Sequence, residues 1–567
     1  MVQVNKMKIN LLFVIMFSFV FSQKLITEPS DYLLFNNEIQ SLKTGEIKEE
    51  LFIKPFIEKG KSKNKSYNIV NRLNLKSKFV VEPVVAVRTS SIGFELYDYE
   101  SPGLWITPGI KIHSTIPILK TFKSIWAYSW ASFYKHSVLD DGYPFDYYPL
   151  AAFPNNGQFT SSSLTFPYNP DYSSSFHTFS QKNSRLIEFD QSRGGVALLS
   201  DSFEFVFGKF NTNLGPFYRG NLSISDNAPP FHQIFIKLKH KKVIFTYFLG
   251  SLDSNMPSTI SEDSLYVDAW DLSMSDYMDY YFMNNVPSST LEYNRYIAHH
   301  RLDIKVNKQF RVGLYEQVIF GGRDIPFYYI IPVLPFWSSQ HEGGDLDNLM
   351  IGIDFDYIFG QKNNRSNRIY GALFMDEWSP YETFNDNNRN WFAYQLGYST
   401  NFKIKDKNSL FKIEYSKIDP RAYNHRFIIN EPKHFGYELG FWSGRNSDDL
   451  IVKWIIMMDD KSYLDIGFEY TRFSNDNSLI SLENQYDDVE VNFLSGDINR
   501  YRHKQYISYS RLLKYSVFLD VGLSAFFTSG IYLNGDDTMS LHDELYLVLG
   551  KKDFYDIQIN FRYNIPN

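Results

Sequence analysis

The segment from Gly208 to Phe231 combines the side-chain types that bind sugars. It reads GKFNTNLGPFYRGNLSISDNAPPF, and its glycines and prolines interrupt a strand-like chain. Aromatic faces, as of Phe217 and Tyr218, cover the C–H surfaces of sugar rings, while amide, carboxylate and guanidinium groups bond hydroxyls or acidic substituents. The candidate binding residues are Arg219, Asn221, Asp226 and Asn227. A structural turn whose polar groups bond to one another would have the same composition, so both interpretations stand.

Three short strings match the catalytic motifs of serine β-lactamases and penicillin-binding proteins. They are Ser132-Phe-Tyr-Lys135, Ser225-Asp-Asn227 and Lys43-Thr-Gly45. In those enzymes the serine opens a helix, whereas Ser132 stands in an aromatic, strand-like stretch. The Lys-Thr-Gly string also precedes the other two. We therefore expect no catalytic residues and no enzyme.

Histidines and acidic residues occur in pairs that invite a metal interpretation. His299 and His300 are adjacent, so on a strand they would point to opposite faces, and neither they nor His341-Glu342 have the spacing of zinc ligands on a helix. Asp345-Leu-Asp347-Asn348 lacks the spacing of a calcium loop. The sequence therefore predicts neither a metal site nor a cofactor.

Amphipathic strands must position any such site, and the clearest lies within Arg311 to Phe359. Ile351, Ile353, Phe355 and Tyr357 alternate there with Gly352, Asp354 and Asp356. A pleated strand would carry one apolar and one polar face. If the strand lies in a membrane, Asp354 and Asp356 must face the lumen, because a lipid-facing charge is costly.

The whole chain favours a large barrel over several soluble domains. Phe, Trp and Tyr make up 18% of the 567 residues while the mean hydropathy is −0.31, a combination typical of a wall with aromatic girdles and a polar lumen. From about residue 79, strand candidates of about 9 to 11 residues follow one another. We predict an all-β fold, a transmembrane antiparallel β-barrel of roughly 16 to 20 strands over residues 76–567, with a small, partly helical segment before it.

The N-terminus predicts export. Lys6 and Lys8 precede the apolar run LLFVIMFSFVF, and Ser22 suits signal-peptide cleavage, giving a signal peptide over residues 1–22. Residues 23–75 form a periplasmic cap or plug with short helices, or only a tether. Long loops are expected near 137–183 and 253–292. A net charge of −7 argues against nucleic-acid binding, which needs a basic face.

Several segments together resemble the Wzi-like capsule assembly family of outer-membrane proteins. The ordered matches are GLWITPGIKI, YSWASFYKHS, GPFYRGNLSISDNAPPF, NRYIAHHRLD, LYEQVIFGGRD, DNLMIGIDFDY and FGYELGFWSGRNSDDL. The resemblance implies a barrel of about 18 strands, a helical element near the periplasmic mouth, and a role in attaching or assembling capsular polysaccharide. Within it, Arg323 and Asp324 of the GGRD string are further candidates for a lumen network or for contact with an acidic sugar.

Three functions follow as hypotheses. The first is an outer-membrane barrel that binds surface polysaccharide without covalent chemistry, with outer-membrane lipid, the polysaccharide and the barrel assembly machinery as partners. The second is a porin-like channel, although inward charges of both signs, such as Lys412 with Glu414 and Asp556 with Arg562, would also suit a closed, cross-linked lumen. The third is a soluble secreted glycan-binding protein or hydrolase.

Overall fold

The computed structural model describes residues 23–26, 31–59, 79–91, 103–119, 125–140, 158–160, 179–183, 186–252, 294–344, 346–363, 365–376, 391–425, 428–434, 437–474, 492–494, 498–513, 517–532 and 552–563. The expected signal peptide, residues 1–22, and the expected loop 253–292 lie outside these residues. None of the helices in this part of the chain has both the length and the apolar character needed to cross a membrane.

Eighteen antiparallel strands form a closed barrel wall within the described residues, as predicted. Their bounds are β1 Phe79–Ser90, β2 Gly103–Leu119, β3 Ile125–Asp140, β4 Leu186–Leu199, β5 Phe203–Phe210, β6 Phe231–His240, β7 Val243–Leu252, β8 Arg295–Lys305, β9 Phe310–Gly321, β10 Asn348–Lys362, β11 Arg365–Asp376, β12 Trp391–Ile404, β13 Lys407–Ile418, β14 Ser447–Asp459, β15 Ser462–Ser474, β16 Ile498–Leu512, β17 Val517–Tyr532 and β18 Lys552–Tyr563. Pairing of β18 with β1 closes the wall.

The alternation of apolar and polar residues along each strand places the two residue types on opposite faces of this wall. On β10, Ile353 and Tyr357 are 39% and 40% exposed on the outer face, while Asp354 and Asp356 are buried on the inner face. On β18, Tyr555, Ile557, Ile559 and Phe561 are all exposed outward. The wall therefore has an apolar outer face and a polar inner one, as a membrane barrel requires.

The two ends of the barrel differ in the length of their connections. Two-residue turns such as 241–242 and 405–406 join strands at one end, and long segments such as 211–230 and 419–446 join them at the other. In outer-membrane barrels the short turns are periplasmic and the long loops extracellular. The expected loop 137–183 begins later than predicted, because Ser137–Asp140 continues β3, with Ser137 to Leu139 paired to β4 and Asp140 to Gly103 of β2. It also contains a strand pair, Gln158–Thr160 with Phe179–Asn183.

The N-terminal segment lies inside the wall, at the short-turn end. Helix α1, Asp31–Thr44, buries Phe35, Ile39 and Leu42 and packs against β10 to β13. The 3-10 turn Glu49–Leu51 follows, and Ile53–Lys54 then pairs with Asn213–Leu214. Within residues 46–53 only this turn is helical, and the strand pairing holds the end of that stretch extended. Gln23–Ile26 pairs with Phe56–Lys59.

Tyrosines and glycines face each other across neighbouring strands on the inner face. Tyr315 is paired with Gly352, Tyr370 with Gly397, and Tyr506 with Gly467. A Cβ added to any of the three glycines would come within 2.1 to 2.2 Å of the opposing ring. Each ring thus lies flat across the glycine backbone, which is possible only because the glycine has no side chain.

The connection between β9 and β10 contains two short helices, α2 Phe327–Ile330 and α3 Phe336–Glu342. Two further short elements lie in the segment between β13 and β14: the 3-10 turn Ile428–Asn430 and the strand pair Lys433–His434 with Tyr437–Glu438.

Candidate functional site

The segment of residues 211–230, here called the lumen loop, enters the barrel from the end with the long loops. Asn221 fastens the loop to itself: its Nδ2 donates to Asn213 Oδ1, and its Oδ1 accepts the Phe217 N–H at 3.1 Å. Asn213 Nδ2 in turn donates to Asp226 at 2.8 Å. The predicted candidates Asn221 and Asp226 therefore shape the loop.

Arg219 is the charged centre of the lumen loop, and it is fully buried. Its guanidinium donates to Asp449 of β14 at 3.1 Å and lies 3.0 Å from Glu469 of β15. It also stands over the Trp442 ring at 5.1 Å. Buried charges need such partners, so Arg219 ties the loop to the wall.

Glu414 of β13 holds the backbone of the same loop. Its carboxylate accepts the N–H groups of Tyr218 and Arg219, each at 3.0 Å, and the Tyr370 hydroxyl at 2.7 Å. Lys412 lies 3.5 Å from it. Strand alternation predicts that Lys412 and Glu414 point inward. It does not predict the position of the lumen loop, whose backbone N–H groups bind Glu414.

A second segment, residues 419–446, here called the outer loop, covers the lumen loop at the same end. Ser225 Oγ donates to the Gly440 carbonyl at 2.6 Å, and Asn227 Nδ2 donates to the Glu438 carbonyl at 2.9 Å. The Tyr423 hydroxyl donates to the Leu222 carbonyl at 2.5 Å. Asn227, predicted as a binding residue, joins the two loops.

The carboxyl group of Glu438 in the outer loop is buried, and its contacts only partly compensate a negative charge there. Burial raises the pKa of its carboxyl to about 7, against the opposing effect of Lys433, whose Nζ is 4.0 Å away. Its Oε2 accepts no hydrogen bond from the described residues. The contact between the two loops therefore includes a group that titrates near neutral pH.

Asp354 and Asp356 lie on the inner wall in separate ion pairs. Asp354 contacts Arg301 and Arg311, each at 2.6 Å, and Asp356 contacts Arg368 at 2.6 Å. All of these side chains are almost completely buried. Their charges are therefore already compensated within the barrel.

Arg368 extends this network to α1. It lies 2.8 Å from Glu38, and Lys412 lies at the same distance from that carboxylate. Burial disfavours the charge of Glu38, but Lys412 and Arg368 outweigh burial and lower its pKa to about 2. The helix is thus fixed to the wall by a carboxylate that is ionised at neutral pH.

Arg323 and Asp324 do not join the lumen residues. Because β9 ends at Gly321, both lie beyond the wall, where Arg323 pairs with Asp347 and Asp324 is exposed. Asp347 also accepts the Tyr329 hydroxyl at 2.7 Å. The lumen network proposed for these two residues is therefore not present.

Strand alternation separates the members of two other candidate motifs. His299 lies inside, stacked between Phe248 and Tyr315, and His300 lies outside, as strand alternation predicted. No group of three or more histidine or acidic residues placed to hold a metal occurs in the described part of the chain. Ser132 is buried whereas Lys135 is exposed, so the first enzyme-like string is split between the two wall faces. Asp345 lies outside the described residues.

A polar cavity that the sequence did not single out lies between the N-terminal segment and strands β14 to β18. Its volume is about 150 Å³. Its lining combines tyrosine rings with charged and amide side chains, including Tyr218, Tyr463, Tyr506, Lys504, Gln558 and Arg562. Strand alternation places most of these residues inward, but only the closed wall brings six strands, β14 to β18 and β1, and a loop around one space.

Comparison with known proteins gives the family. The family model for the capsule assembly protein Wzi matches residues 159–528, more than half of the chain. The chain belongs to the Wzi capsule assembly family. The resemblance found in the sequence is thereby confirmed, and this Wzi-family barrel is an outer-membrane protein related to capsule assembly.

Solved structures agree on the fold. A Wzi outer-membrane protein of Escherichia coli, described as involved in group 1 capsule assembly and as a carbohydrate-binding β-barrel, is similar with a TM-score of 0.51 and 14% identity, over 95% of this chain and 99% of that chain. Acinetobacter baumannii OccAB1 gives a TM-score of 0.41 at 8% identity, over 85% of this chain and 96% of its own, a likeness too weak to carry an argument. No curated protein matches the chain.

Proposed function

We propose that this Wzi-family barrel binds surface polysaccharide non-covalently and thereby takes part in attaching or assembling it at the outer membrane. Family membership and the carbohydrate binding described for the Escherichia coli relative support the proposal. It includes no covalent step and no cofactor. Cleavage of residues 1–22 and insertion by the barrel assembly machinery stay predictions.

The cavity beside β14 to β18 is the observation that carries the proposal for this chain. Tyr218, Tyr463 and Tyr506 present aromatic surface, and charged groups of both signs stand among amide and hydroxyl groups, with Arg562 paired to Asp520. That mixture suits a sugar, because rings cover C–H faces and polar groups bond hydroxyls. Of the eight predicted candidates, Arg219 also lines this cavity while paired to the wall, and the others make internal contacts or lie at the rim.

The porin-like alternative is less well supported. Two loops enter the lumen from the long-loop end and α1 enters it from the other. Buried ion pairs tie the lumen loop and α1 to the wall, and the outer loop is hydrogen-bonded to the lumen loop. The proposal expects little conductance across a planar bilayer that contains the purified protein. A large, steady conductance would favour the channel.

Complementation of a gene deletion tests the function. The deletion should release polysaccharide into the medium while total synthesis continues, and the wild-type gene should restore retention. Lys504→Gln, within the cavity, should lower both retention and the affinity of purified protein for the polysaccharide. Lys461→Gln, an exposed turn residue, is the matched control. Unchanged retention after deletion would contradict the proposed function, and unchanged affinity of Lys504→Gln would contradict only the assignment to the cavity.

A further inference from the structure

The connection between β9 and β10 folds back over the outer face of the barrel. Residues 325–342, here called the outer hairpin, contain α2 and α3. The Tyr247 hydroxyl donates to the Tyr329 carbonyl at 2.7 Å, and the Tyr329 ring lies 4.7 Å from that of Phe320. Both wall residues point away from the lumen, since their strand neighbours Thr246 and Ile319 are the inward ones. Ala298 and Val318, also on the outer face, are completely covered.

A polar pair of the outer wall holds the tip of the hairpin. His300 Nε2 lies 3.0 Å from Glu316, and its Nδ1 lies 3.2 Å from the Pro332 carbonyl. Glu316 accepts the Phe336 N–H at 2.7 Å, at the start of α3, and the Phe336 ring stacks on His300 at 4.2 Å. The hairpin thereby covers His300 and Glu316, two polar side chains whose exposure to lipid would cost free energy.

The tip lies deep on the wall. His300 and Glu316 are each five residues from the long-loop ends of their strands, Arg295 and Gly321. At about 3.3 Å per residue and a tilt of about 40°, this is roughly 13 Å, or about half of an apolar band roughly 25 Å tall. Strands β7 and β8 have 10 and 11 residues, which is just the length that spans a membrane, so the tip is at membrane depth.

The side of the hairpin that faces away from the wall is apolar. Residues 327–337 contain no charged side chain, and Phe327, Val333 and Trp337 are 83%, 74% and 52% exposed. Ile330, Ile331 and Leu334 are also exposed. This surface continues the exposed apolar belt of the wall, represented next to it by Leu314. Apolar patches of this kind mark contact with membrane or protein.

We propose that the outer hairpin is embedded among the acyl chains of the outer leaflet, with Phe327, Val333 and Trp337 in contact with lipid. Its continuity with the lipid-facing belt and the depth of its tip favour lipid over a protein partner. The connection is therefore a membrane-inserted element of the wall, although its place in the chain is that of an extracellular loop. The inference is independent of polysaccharide binding.

Single-cysteine labelling tests this directly, because the chain has no cysteine of its own. Val333→Cys is labelled with bimane, and the full-length protein is placed in vesicles containing nitroxide-labelled phospholipid. Leu314→Cys on the bare outer wall is the lipid-facing control, and Asp324→Cys at the exposed rim is the aqueous control. Folding of each variant is checked by heat-modifiable gel migration.

The bimane at position 333 should emit at a shorter wavelength than the bimane at 324. Its fluorescence should be quenched by lipid nitroxide as strongly as at 314 and should not be quenched by aqueous iodide. Trp337→Cys should behave in the same way, which keeps the test open if the first variant fails to fold. Iodide quenching equal to that at 324 would overturn the proposal. Shielding from both quenchers would also overturn it, because that result indicates a covering protein, such as a second copy of the chain.

Discussion

Arg301 of β8 and Asp354 of β10 are joined by two hydrogen bonds, of 2.6 and 2.9 Å, that pass across the inner face of β9. The pair links two strands that are not neighbours in the wall. It therefore holds β8, β9 and β10 together, whereas backbone hydrogen bonds join only adjacent strands. Arg311 joins the same carboxylate.

Asp354→Ala should therefore be strongly destabilising. It leaves two buried guanidinium groups short of a counter-charge, and breaking a buried pair by removing one partner costs about 3 to 5 kcal/mol. The free energy of unfolding in urea, measured with the barrel in lipid vesicles, gives the value. Ile353→Ala, the outward neighbour, should cost much less, and equal losses for both would contradict the bracing role.

Glu38→Gln should loosen α1 without opening the wall. The carboxylate bonds to Arg368, Lys412 and Ser399, and hydrogen bonds to charged groups contribute about 1.5 to 3 kcal/mol. Hydrogen exchange of residues 31–44 should become faster while exchange in β10 to β13 stays unchanged. Asn37→Ala, on the same helix but less buried, is the control.

The pKa of Glu38 sets the acid limit of that attachment. Because its folded pKa is lowered to about 2, the contribution is fully present above the unfolded pKa of 4.5 and is lost as the pH falls through about 2. Exchange protection of α1 should therefore persist at pH 4 in the wild type. Loss of protection already near pH 4.5 would show that Glu38 is not ionised by its two cationic partners.

Glu438 should make docking of the outer loop depend on pH in the opposite sense. Its folded pKa of about 7 lies above the unfolded 4.5, so the folded state binds more protons between these values, and stability falls as the pH rises through that range. The slope is at most about 1.4 kcal/mol per pH unit. Exchange of residues 437–444, corrected for intrinsic rates, should be slower at pH 5.5 than at pH 8. Glu438→Gln should remove the difference.

Gly352→Ala should displace the tyrosine opposite. The added Cβ would approach the ring of Tyr315 to 2.2 Å, so the ring has to move, and overpacking of this kind costs about 1 to 3 kcal/mol. Gly522→Ala is a useful comparison, because its nearest atom is 3.6 Å away. Thermal unfolding of the two variants in the same detergent should separate them, and equal midpoints would contradict the close contact.

The fold was predictable because the alternation of apolar and polar residues within each wall strand defines its outer and inner faces. Ile353 and Asp354 point as alternation requires, and so do His299 and His300. Counting the amphipathic segments gave roughly 16 to 20 strands, and the family resemblance gave about 18. The residue at which a strand ends is harder to predict, as Ser137–Asp140 showed, because pairing with the neighbouring strand determines it.

The site was less predictable because its contacts join distant parts of the chain. Arg219 was recognised as important, but its partner Asp449 is 230 residues away. The apolar run of the outer hairpin was visible as a stretch interrupted by Pro332 and Pro335, yet no local pattern indicates that the chain turns back along the outside. Such positions depend on the closed barrel as a whole.

The pairing of Ile53–Lys54 with Asn213–Leu214 constrains the order in which the molecule is built. The two strands enter from opposite ends of the barrel and are separated by 160 residues, so the first cannot find its partner until several wall strands have been synthesised. The wall itself closes only when β18, the last described strand, reaches β1. The N-terminal segment must therefore already be in place, or be threaded in from the periplasm, when the final seam forms. Assembly of this barrel therefore has to place the N-terminal segment in the lumen as well as close the wall.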